Sequence, residues 1–391
     1  MAIDLKRVRR DTPGCAHVVH FNNAGAALMP QPVLDALIGH VQLEARIGGY
    51  EAAEQAGPRL DHFYGALARL LNASPDEIAF VENATRAWDM AFYAMPLRRG
   101  DRILTGKAEY ASNYIAYLQV AARTGAVVEA IPNDEHGQFS VEALRRAIDG
   151  RVKLIALTHV PTNGGLVNPA AAVGCVAREA GIPYLLDACQ SVGQMPVDVQ
   201  AIGCDMLSGT GRKYLRGPRA TGFLYVRRAL LDRLEPPFLD LHAATWVAPD
   251  RYEVRADARR FENWEMNVAG KLALGVGVDY ALALGIEPIW ERVAALAALL
   301  RERLATTPGV RVHDLGKERC GIVTFTVAGV EPDVVKQRLS AERINVTTSS
   351  RHSTLLDMDS RGLSKLVRAS VHYYNTEDEI NQAVRAVAEM R

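Results

Sequence analysis

The stretch that decides the fold covers residues 183–226 and reads PYLLDACQSVGQMPVDVQAIGCDMLSGTGRKYLRGPRATGFLYV. An apolar strand ends in Asp187, and two further strand-like runs flank Lys213. The lysine follows glycines and small polar residues. It has three possible roles: a point charge that binds a phosphate, a nucleophilic amine, or a plain surface residue. A Walker-type loop requires GxxxxGK[ST], and Tyr214 breaks that pattern. The sequence therefore favours the nucleophile.

Apolar runs rich in β-branched residues alternate with amphipathic helical patterns over about residues 77–230. This alternation predicts an α/β fold with a mostly parallel central sheet, whose working loops lie at the carboxyl ends of the strands. Beyond about residue 250, two long helices precede a strand–helix–strand–strand–helix pattern. We therefore predict a large domain over residues 20–255, and a smaller α+β domain with a connecting helix from residues 1–19 and 256–391.

Composition excludes several classes of partner. The 391-residue chain has a net charge of zero, which argues against nucleic acid or an anionic membrane as a main partner. No apolar run reaches membrane-spanning length. Five cysteines are scattered without CxxC or metal-ligand spacing, so we expect no metal site, reduced thiols and a cytoplasmic location.

Four other features accompany the lysine. Asp187 ends a buried strand and faces the ligand crevice, with a helix N-cap as the alternative. In FVENATRAW, Thr85 lies where a helix N-terminus would bind an anion. Tyr110 and the polar turn after the strand ALTHV reach the same edge. Together these parts match the needs of pyridoxal phosphate (PLP): a lysine for its aldehyde, a carboxylate for its ring nitrogen, hydroxyls and amides for its phosphate, and an aromatic face.

These motifs resemble those of the class V aminotransferase family, which includes cysteine desulfurases, selenocysteine lyases, cystine lyases and isopenicillin N epimerase-like proteins. The similarity runs from about residue 21 to residue 375. Its most specific parts are residues 183–226 and LVRASVHYYNTEDEI at 366–380. The resemblance implies a PLP fold-type I enzyme acting on a small amino acid, built as a homodimer with its active site at the subunit interface.

The resemblance also implies roles for particular side chains. Lys213 would be the catalytic Schiff-base lysine, and Asp187 would pair with the pyridine nitrogen. Arg368 would bind the substrate α-carboxylate, with a salt bridge in the small domain as the alternative. The other implied cofactor contacts, on the ring and on the phosphate, are Ala84, Thr85, Tyr110, Thr162, Gln190, Thr210 and Arg212.

Several positions depart from the family pattern. Arg212 stands where members usually have histidine, and it still suits a phosphate dianion. Thr162 occupies a position that is often asparagine, and Asn163 is the alternative side chain there. Trp264 and Glu265 fall where desulfurases have a glycine–threonine pair that reaches the partner's phosphate. The chain therefore lacks the threonine that the resemblance implies for the cross-subunit phosphate contact.

The predicted reaction depends on one loop. His352 occupies the position at which cysteine desulfurases carry a nucleophilic cysteine, and no cysteine follows Cys320. We therefore predict a C–S β-lyase that converts a cysteine conjugate to pyruvate and ammonia, rather than a persulfide-forming desulfurase. The alternative is a class V aminotransferase or an amino-acid epimerase. Tyr50, in a stretch similar to the lyase and epimerase-like branch, joins His352 and Arg368 as a predicted substrate contact.

Two rivals belong to other classes of protein. A nucleotide-binding oxidoreductase requires GxGxxG after an early strand, and the chain lacks that spacing. A cofactor-free binding protein would have no need for Lys213, Asp187 and the phosphate hydroxyls together. A visible absorption band that borohydride abolishes would separate the enzyme from both rivals.

Overall fold

The computed structural model describes residues 3–390. Its strands, in chain order, are β1 (Val19–His20), β2 (Ile78–Val81), β3 (Arg102–Gly106), β4 (Val127–Ile131), β5 (Val152–Thr158), β6 (Tyr184–Asp187), β7 (Met206–Thr210), β8 (Gly222–Val226), β9 (Ala244–Ala248), β10 (Arg251–Val254), β11 (Val310–Val312), β12 (Ile322–Val327), β13 (Ile344–Asn345), β14 (Thr347–Ser350) and β15 (Lys365–Ser370). Its α-helices are α1 (Leu5–Arg10), α2 (Gln31–Ile47), α3 (Gly49–Gln55), α4 (Gly57–Leu71), α5 (Ala84–Tyr93), α6 (Ala111–Thr124), α7 (Val141–Ala147), α8 (Ala170–Ala180), α9 (Val199–Ile202), α10 (Arg228–Leu231), α11 (Val268–Leu284), α12 (Ile286–Thr306), α13 (Pro332–Ala341), α14 (Leu355–Ser360) and α15 (Glu377–Ala388).

A seven-stranded sheet forms the centre of the chain, in the order β2-β8-β7-β6-β5-β3-β4. Strand β8 runs opposite to the other six strands of this sheet, so it pairs antiparallel with both β2 and β7. Pairing places Thr158 and Asp187, the last residues of β5 and β6, side by side at the carboxyl edge of the sheet, and it places Asp187 beside Ser208 of the next parallel strand, β7. The predicted fold class, a mostly parallel sheet in an α/β protein, is confirmed. This edge is where parallel sheets of this kind place their ligands.

Helices cover both faces of the sheet, which explains why its central strands are apolar along their whole length. Successive side chains of a strand point to opposite faces. Leu185 and Met206 accordingly belong to one apolar core, while Leu186 and Leu207 belong to another on the far side. All four are fully buried. The continuous apolar runs read from the sequence are therefore strands packed on both sides.

A second, antiparallel sheet has the order β11-β12-β15-β14 and packs on a separate apolar core. Val8 and Phe21 from the N-terminal segment belong to that core, and β1 pairs in parallel with β13. The N-terminal segment therefore returns to the C-terminal part of the chain. The domain boundaries derived from the sequence stay a prediction, and residues 1, 2 and 391 of that division lie outside the described part.

Helix α11 packs closely against earlier parts of the chain. A Cβ atom on Gly277 would lie 3.1 Å from the carbonyl oxygen of Leu215, so a small residue suits this approach. Helix α12 follows at an angle of 81°. Within residues 3–390, no helix by itself is long and apolar enough to cross a membrane; α11 and α12 meet that measure only when taken together across their bend.

Candidate active site

A cavity of about 470 Å³ opens at the carboxyl edge of the large sheet. Its lining residues are Asn83, Ala84, Thr85, Tyr110, Asn113, Thr158, Val160, Thr162, Asp187, Cys189, Gln190, Thr210, Arg212 and Lys213. Every cofactor contact predicted from the sequence is among them. The structure therefore brings these side chains together, while the role predicted for each one stays a prediction.

Lys213 lies just beyond the end of β7, in a turn that requires small residues. A Cβ atom on Gly211 would lie only 2.2 Å from the Thr221 hydroxyl oxygen. Burial lowers the pKa of Lys213 to about 8, and the charge of Arg212 acts in the same direction, while Asp187 opposes the shift. A lysine with this pKa supplies neutral, nucleophilic amine near physiological pH.

Asp187 is held by two donors at the end of β6. Its Oδ1 atom accepts a hydrogen bond from the backbone N–H of Cys189 at 2.9 Å, and its Oδ2 atom accepts one from Asn113 Nδ2 at 3.0 Å. The next α-helix begins only at Val199, so Asp187 is not a helix N-cap. The carboxylate is buried, and it faces the same cavity as Lys213.

Behind Asp187 lies a second buried carboxyl group that sequence reasoning missed. Asn113 Nδ2, which donates to Asp187, also donates to Glu109 Oε1 at 2.9 Å. Burial raises the pKa of Glu109, and hydrogen bonds from its neighbours oppose that rise. The donors to Glu109 are the hydroxyls of Thr105, Tyr117 and Thr158, the amide of Asn113 and the backbone N–H of Tyr110. The available signal was the spacing of Glu109 and Asn113, four residues apart where α6 begins.

The N-terminus of α5 forms another wall. Asn83 caps this helix by accepting a hydrogen bond from the backbone N–H of Arg86 at 2.9 Å. The N–H groups of Ala84 and Thr85, in the first turn, have no intrahelical acceptor and lie at the cavity. Arg212 also lines the cavity. Because a cation and a helix N-terminus both stabilise negative charge, this end of the cavity suits a phosphate.

Arg368, on β15, reaches the cavity wall from the small sheet. Its Nη1 atom donates to the Thr162 hydroxyl, while its buried Nε atom has no hydrogen-bond partner. Within the described residues, no carboxylate lies within salt-bridge distance of Arg368, so the predicted alternative of a salt bridge is wrong. Burial lowers the pKa of this guanidinium. A buried cation without a counter-ion suits an anionic substrate group.

His352 and Tyr50 are not brought to this cavity. His352 lies in an exposed turn, Arg351–Ser353, and Tyr50 lies on α3 with 77% of its surface exposed. The next residue of the loop to be buried is Thr354, whose hydroxyl accepts a hydrogen bond from Asn163 at 2.9 Å. This contact anchors the loop while the histidine stays outside. The substrate contacts proposed for His352 and Tyr50 stay predictions.

Comparisons with known proteins place the chain in a family. Residues 19–383 match the model of the Aminotransferase class-V family, so the chain belongs to that family. A probable cysteine desulfurase of Methanothermobacter thermautotrophicus is 30% identical, over 95% of this chain and 94% of the relative. A second one, from Synechocystis, is 32% identical, over 93% of this chain and 89% of the relative.

Solved structures agree with this assignment. A cysteine desulfurase from Thermococcus onnurineus superposes with a TM-score of 0.93 at 27% identity, covering 100% of this chain and 98% of the other. One from Escherichia coli gives a TM-score of 0.92 at 25% identity, with the same coverage. The predicted resemblance is confirmed, and the chain is a PLP-dependent enzyme.

The residues present fit this cofactor. Gln190 Oε1 is buried in the cavity wall without a hydrogen-bond partner, as expected of a group that awaits a ligand atom. Lys213 provides an amine, Asp187 a carboxylate, and the α5 N-terminus with Arg212 an anion site. Each of these matches a different functional group of PLP.

The prediction of a C–S β-lyase acting on a cysteine conjugate is wrong. Relatives that match over nearly the full length are named cysteine desulfurases, at 29–32% identity, and the solved structures at 25–27% identity carry the same name. The prediction gave too much weight to His352. That residue lies outside the cavity that holds the reacting groups, so it is a poor guide to the reaction.

The pKa of Lys213 leads to a prediction about pH. The rate at which the apoprotein captures added PLP should rise with pH and level off above about pH 8, because the neutral amine is the reactive form. Stopped-flow absorbance between pH 6 and 10.5 measures this rate. A rate that keeps rising towards 10.5, the ordinary value for lysine, would contradict the prediction.

Proposed function

We propose that this enzyme is a cysteine desulfurase, which breaks the Cβ–S bond of L-cysteine and yields alanine. The observation that carries the proposal is the full-length match to chains named cysteine desulfurases, in a protein whose cavity contains both Lys213 and Asp187. Arg368, whose buried Nε atom has no hydrogen-bond partner, supports an amino-acid substrate, since it offers a cation for an α-carboxylate.

When bound, PLP forms a covalent bond with an amine and withdraws electrons from the α-carbon of an amino acid. Lys213 Nζ, neutral in part near pH 7 because its pKa is about 8, would take the proton from that carbon. Asp187 would hold a proton on the ring nitrogen, since its carboxylate is directed into the cavity by two donors. These two residues therefore divide the proton chemistry between them.

Other groups would orient the reactants. The first-turn N–H groups of α5, together with Thr210 and Arg212, would bind the phosphate. Arg212 Nη1 donates to the Thr210 hydroxyl at 3.1 Å, which positions both side chains at that end. Tyr110 lines the cavity and would cover one face of the ring. Gln190 has a free buried oxygen for a donor group.

The products test the proposal. In desulfuration the C–S bond breaks, the sulfur atom passes to a thiol, and the β-carbon gains a proton to give alanine. With L-cysteine, PLP and excess dithiothreitol, one thiol of the reagent takes the sulfur as a persulfide and its second thiol displaces sulfide to leave a cyclic disulfide, so we expect alanine and sulfide in equal amounts. The Lys213→Ala variant should form neither. Pyruvate and ammonia in place of alanine would overturn the proposal.

Removal of the Arg368 guanidinium should weaken substrate binding. A charge-assisted hydrogen bond contributes about 1.5–3 kcal/mol, so Arg368→Met should raise KM for L-cysteine by roughly 10- to 100-fold. Arg368→Lys retains a cation and should recover part of this loss, although it lacks the planar fork of arginine. Steady-state kinetics on PLP-saturated protein measure both. An unchanged KM in Arg368→Met would show that the carboxylate binds elsewhere.

We also propose a homodimer in the cytoplasm. Large apolar side chains are exposed at Tyr50, Leu241 and Trp246, with exposed fractions of 77%, 71% and 79%, which supports a contact surface. All five cysteines are unpaired, in keeping with a reducing compartment. Light scattering after gel filtration tests the dimer, and cell fractionation tests the location. A monomer at micromolar concentration would contradict the first.

A further inference from the structure

The side-chain amide of Asn113 lies between two buried carboxyl groups. Its Nδ2 atom donates to Glu109 Oε1 at 2.9 Å and to Asp187 Oδ2 at 3.0 Å, so both amide hydrogens have acceptors. This arrangement selects one orientation, because a flipped amide would place its oxygen against a carboxylate. Asn113 and Glu109 are each 3% exposed, so water cannot readily replace either partner.

We propose that Glu109 is a positioning residue, which fixes the amide of Asn113 and thereby directs the carboxylate of Asp187 towards the ring nitrogen of the cofactor. The proposal rests on the PLP assignment and is independent of the substrate. The side-chain carboxylate of Asp187 accepts hydrogen bonds from Asn113 Nδ2 on one oxygen and from the backbone N–H of Cys189 on the other. Loss of the Asn113 contact would therefore leave one oxygen of the carboxylate without a fixed direction.

Glu109 also joins neighbouring parts of the same wall. It accepts hydrogen bonds from the Thr158 hydroxyl and from the backbone N–H of Tyr110, and both of these residues line the cavity. Thr158 is paired with Asp187 across β5 and β6. One buried carboxyl group thus contacts three residues that surround the ring site, namely Tyr110, Asn113 and Thr158.

The two oxygens of Glu109 have different partners, which allows its charge to be separated from its geometry. Oε1 accepts from the Thr158 hydroxyl and from two N–H donors, Asn113 Nδ2 and Tyr110 N, and neither of these N–H groups can act as an acceptor. Oε2 accepts from the hydroxyls of Thr105 and Tyr117, which can rotate to accept instead. Glu109→Gln can therefore keep the Oε1 contacts without the charge, whereas Glu109→Leu removes both.

The experiment measures cofactor binding and the pH dependence of the visible absorption band in the loaded protein, neither of which requires turnover. We expect Glu109→Leu and Asn113→Ala each to raise the Kd for PLP by about 10-fold and to shift the pH midpoint of the band in the same direction. Glu109→Gln should stay within about 3-fold of the parent protein, because it preserves the Asn113 contact. The double variant Glu109→Leu/Asn113→Ala should show no larger change in Kd or pH midpoint than the more affected single variant, because both substitutions act through one contact.

Glu77→Gln is the matched control. Glu77 is a buried carboxylate that directly precedes β2, but it accepts from the backbone N–H groups of Ser74 and Arg228, away from the cavity. Its replacement should change neither Kd nor the pH midpoint. The proposal is overturned if Glu109→Leu or Asn113→Ala leaves both readouts unchanged, if the double variant shows additive losses, or if Glu109→Gln loses as much as Asn113→Ala. Should Glu109→Leu fail to fold, Glu109→Ala takes its place, since it also removes both the charge and the Oε1 contacts.

Discussion

Lys213→Ala should lower kcat by about 10⁴-fold or more, because the variant loses both a nucleophile and a general base. Burial lowers the pKa of the native amine to about 8, so at neutral pH no other group that lines the cavity offers a comparable neutral nitrogen base. The visible band of the purified variant should also be insensitive to borohydride. Single-turnover assays and absorbance spectra measure the two effects.

Lys271→Met is the matched control for this variant. Lys271 is also buried with a pKa lowered by burial, but it donates to the Tyr64 hydroxyl at 2.6 Å and does not line the cavity. Its loss should leave the borohydride-sensitive band in place. If Lys213→Ala kept that band and Lys271→Met lost it, the assignment of the reactive lysine would be wrong.

Asp187→Asn should lower kcat by about 10²- to 10³-fold with a smaller effect on KM. The native carboxylate accepts from two N–H donors, Asn113 Nδ2 and Cys189 N. An asparagine must place its own NH₂ group against one of these donors, and it cannot stabilise a protonated ring nitrogen by charge. Pre-steady-state kinetics, which isolate the removal of the α-proton, measure the loss.

A cofactor analogue provides the decisive control for Asp187. A PLP derivative that is methylated on the ring nitrogen carries a permanent positive charge, so it should restore part of the activity of Asp187→Asn. Asp205→Asn, at the opposite end of the sheet, should behave as the parent protein, because Asp205 contacts Tyr184 N and Arg227 outside the cavity. An equal loss in both aspartate variants would point to a general effect on folding.

Much of the site could be predicted because it follows from the order of elements along the chain. Asp187 is the last residue of β6, Lys213 follows the end of β7 closely, and the carboxyl ends of parallel strands meet at one edge. Helix α5, which has Thr85 in its first turn, follows β2 in the same way. Arg368 lies on the other sheet, and only its match to a family motif led to it.

Other features could not be read from the chain. Asn113 and Asp187 are 74 residues apart, and only the pairing of the strands brings the amide to the carboxylate. The exposed turn that carries His352 was expected at the reaction centre, yet Asn163 anchors Thr354 and leaves the histidine outside. The error in the predicted reaction came from this loop. His352 does not line the cavity, so its identity is weak support for a β-lyase over a desulfurase.

The amino-acid sequence alone therefore determined the class of fold, the cofactor and the side chains at the strand ends, since periodicity and chain order are local properties. Tertiary structure decided which further groups support these side chains. They include the buried Glu109 behind Asp187, and Arg368, whose buried Nε atom has no hydrogen-bond partner. The physical reason is that burial and hydrogen bonding depend on neighbours that are distant in sequence. These neighbours set the pKa of Lys213 and the direction of Asp187.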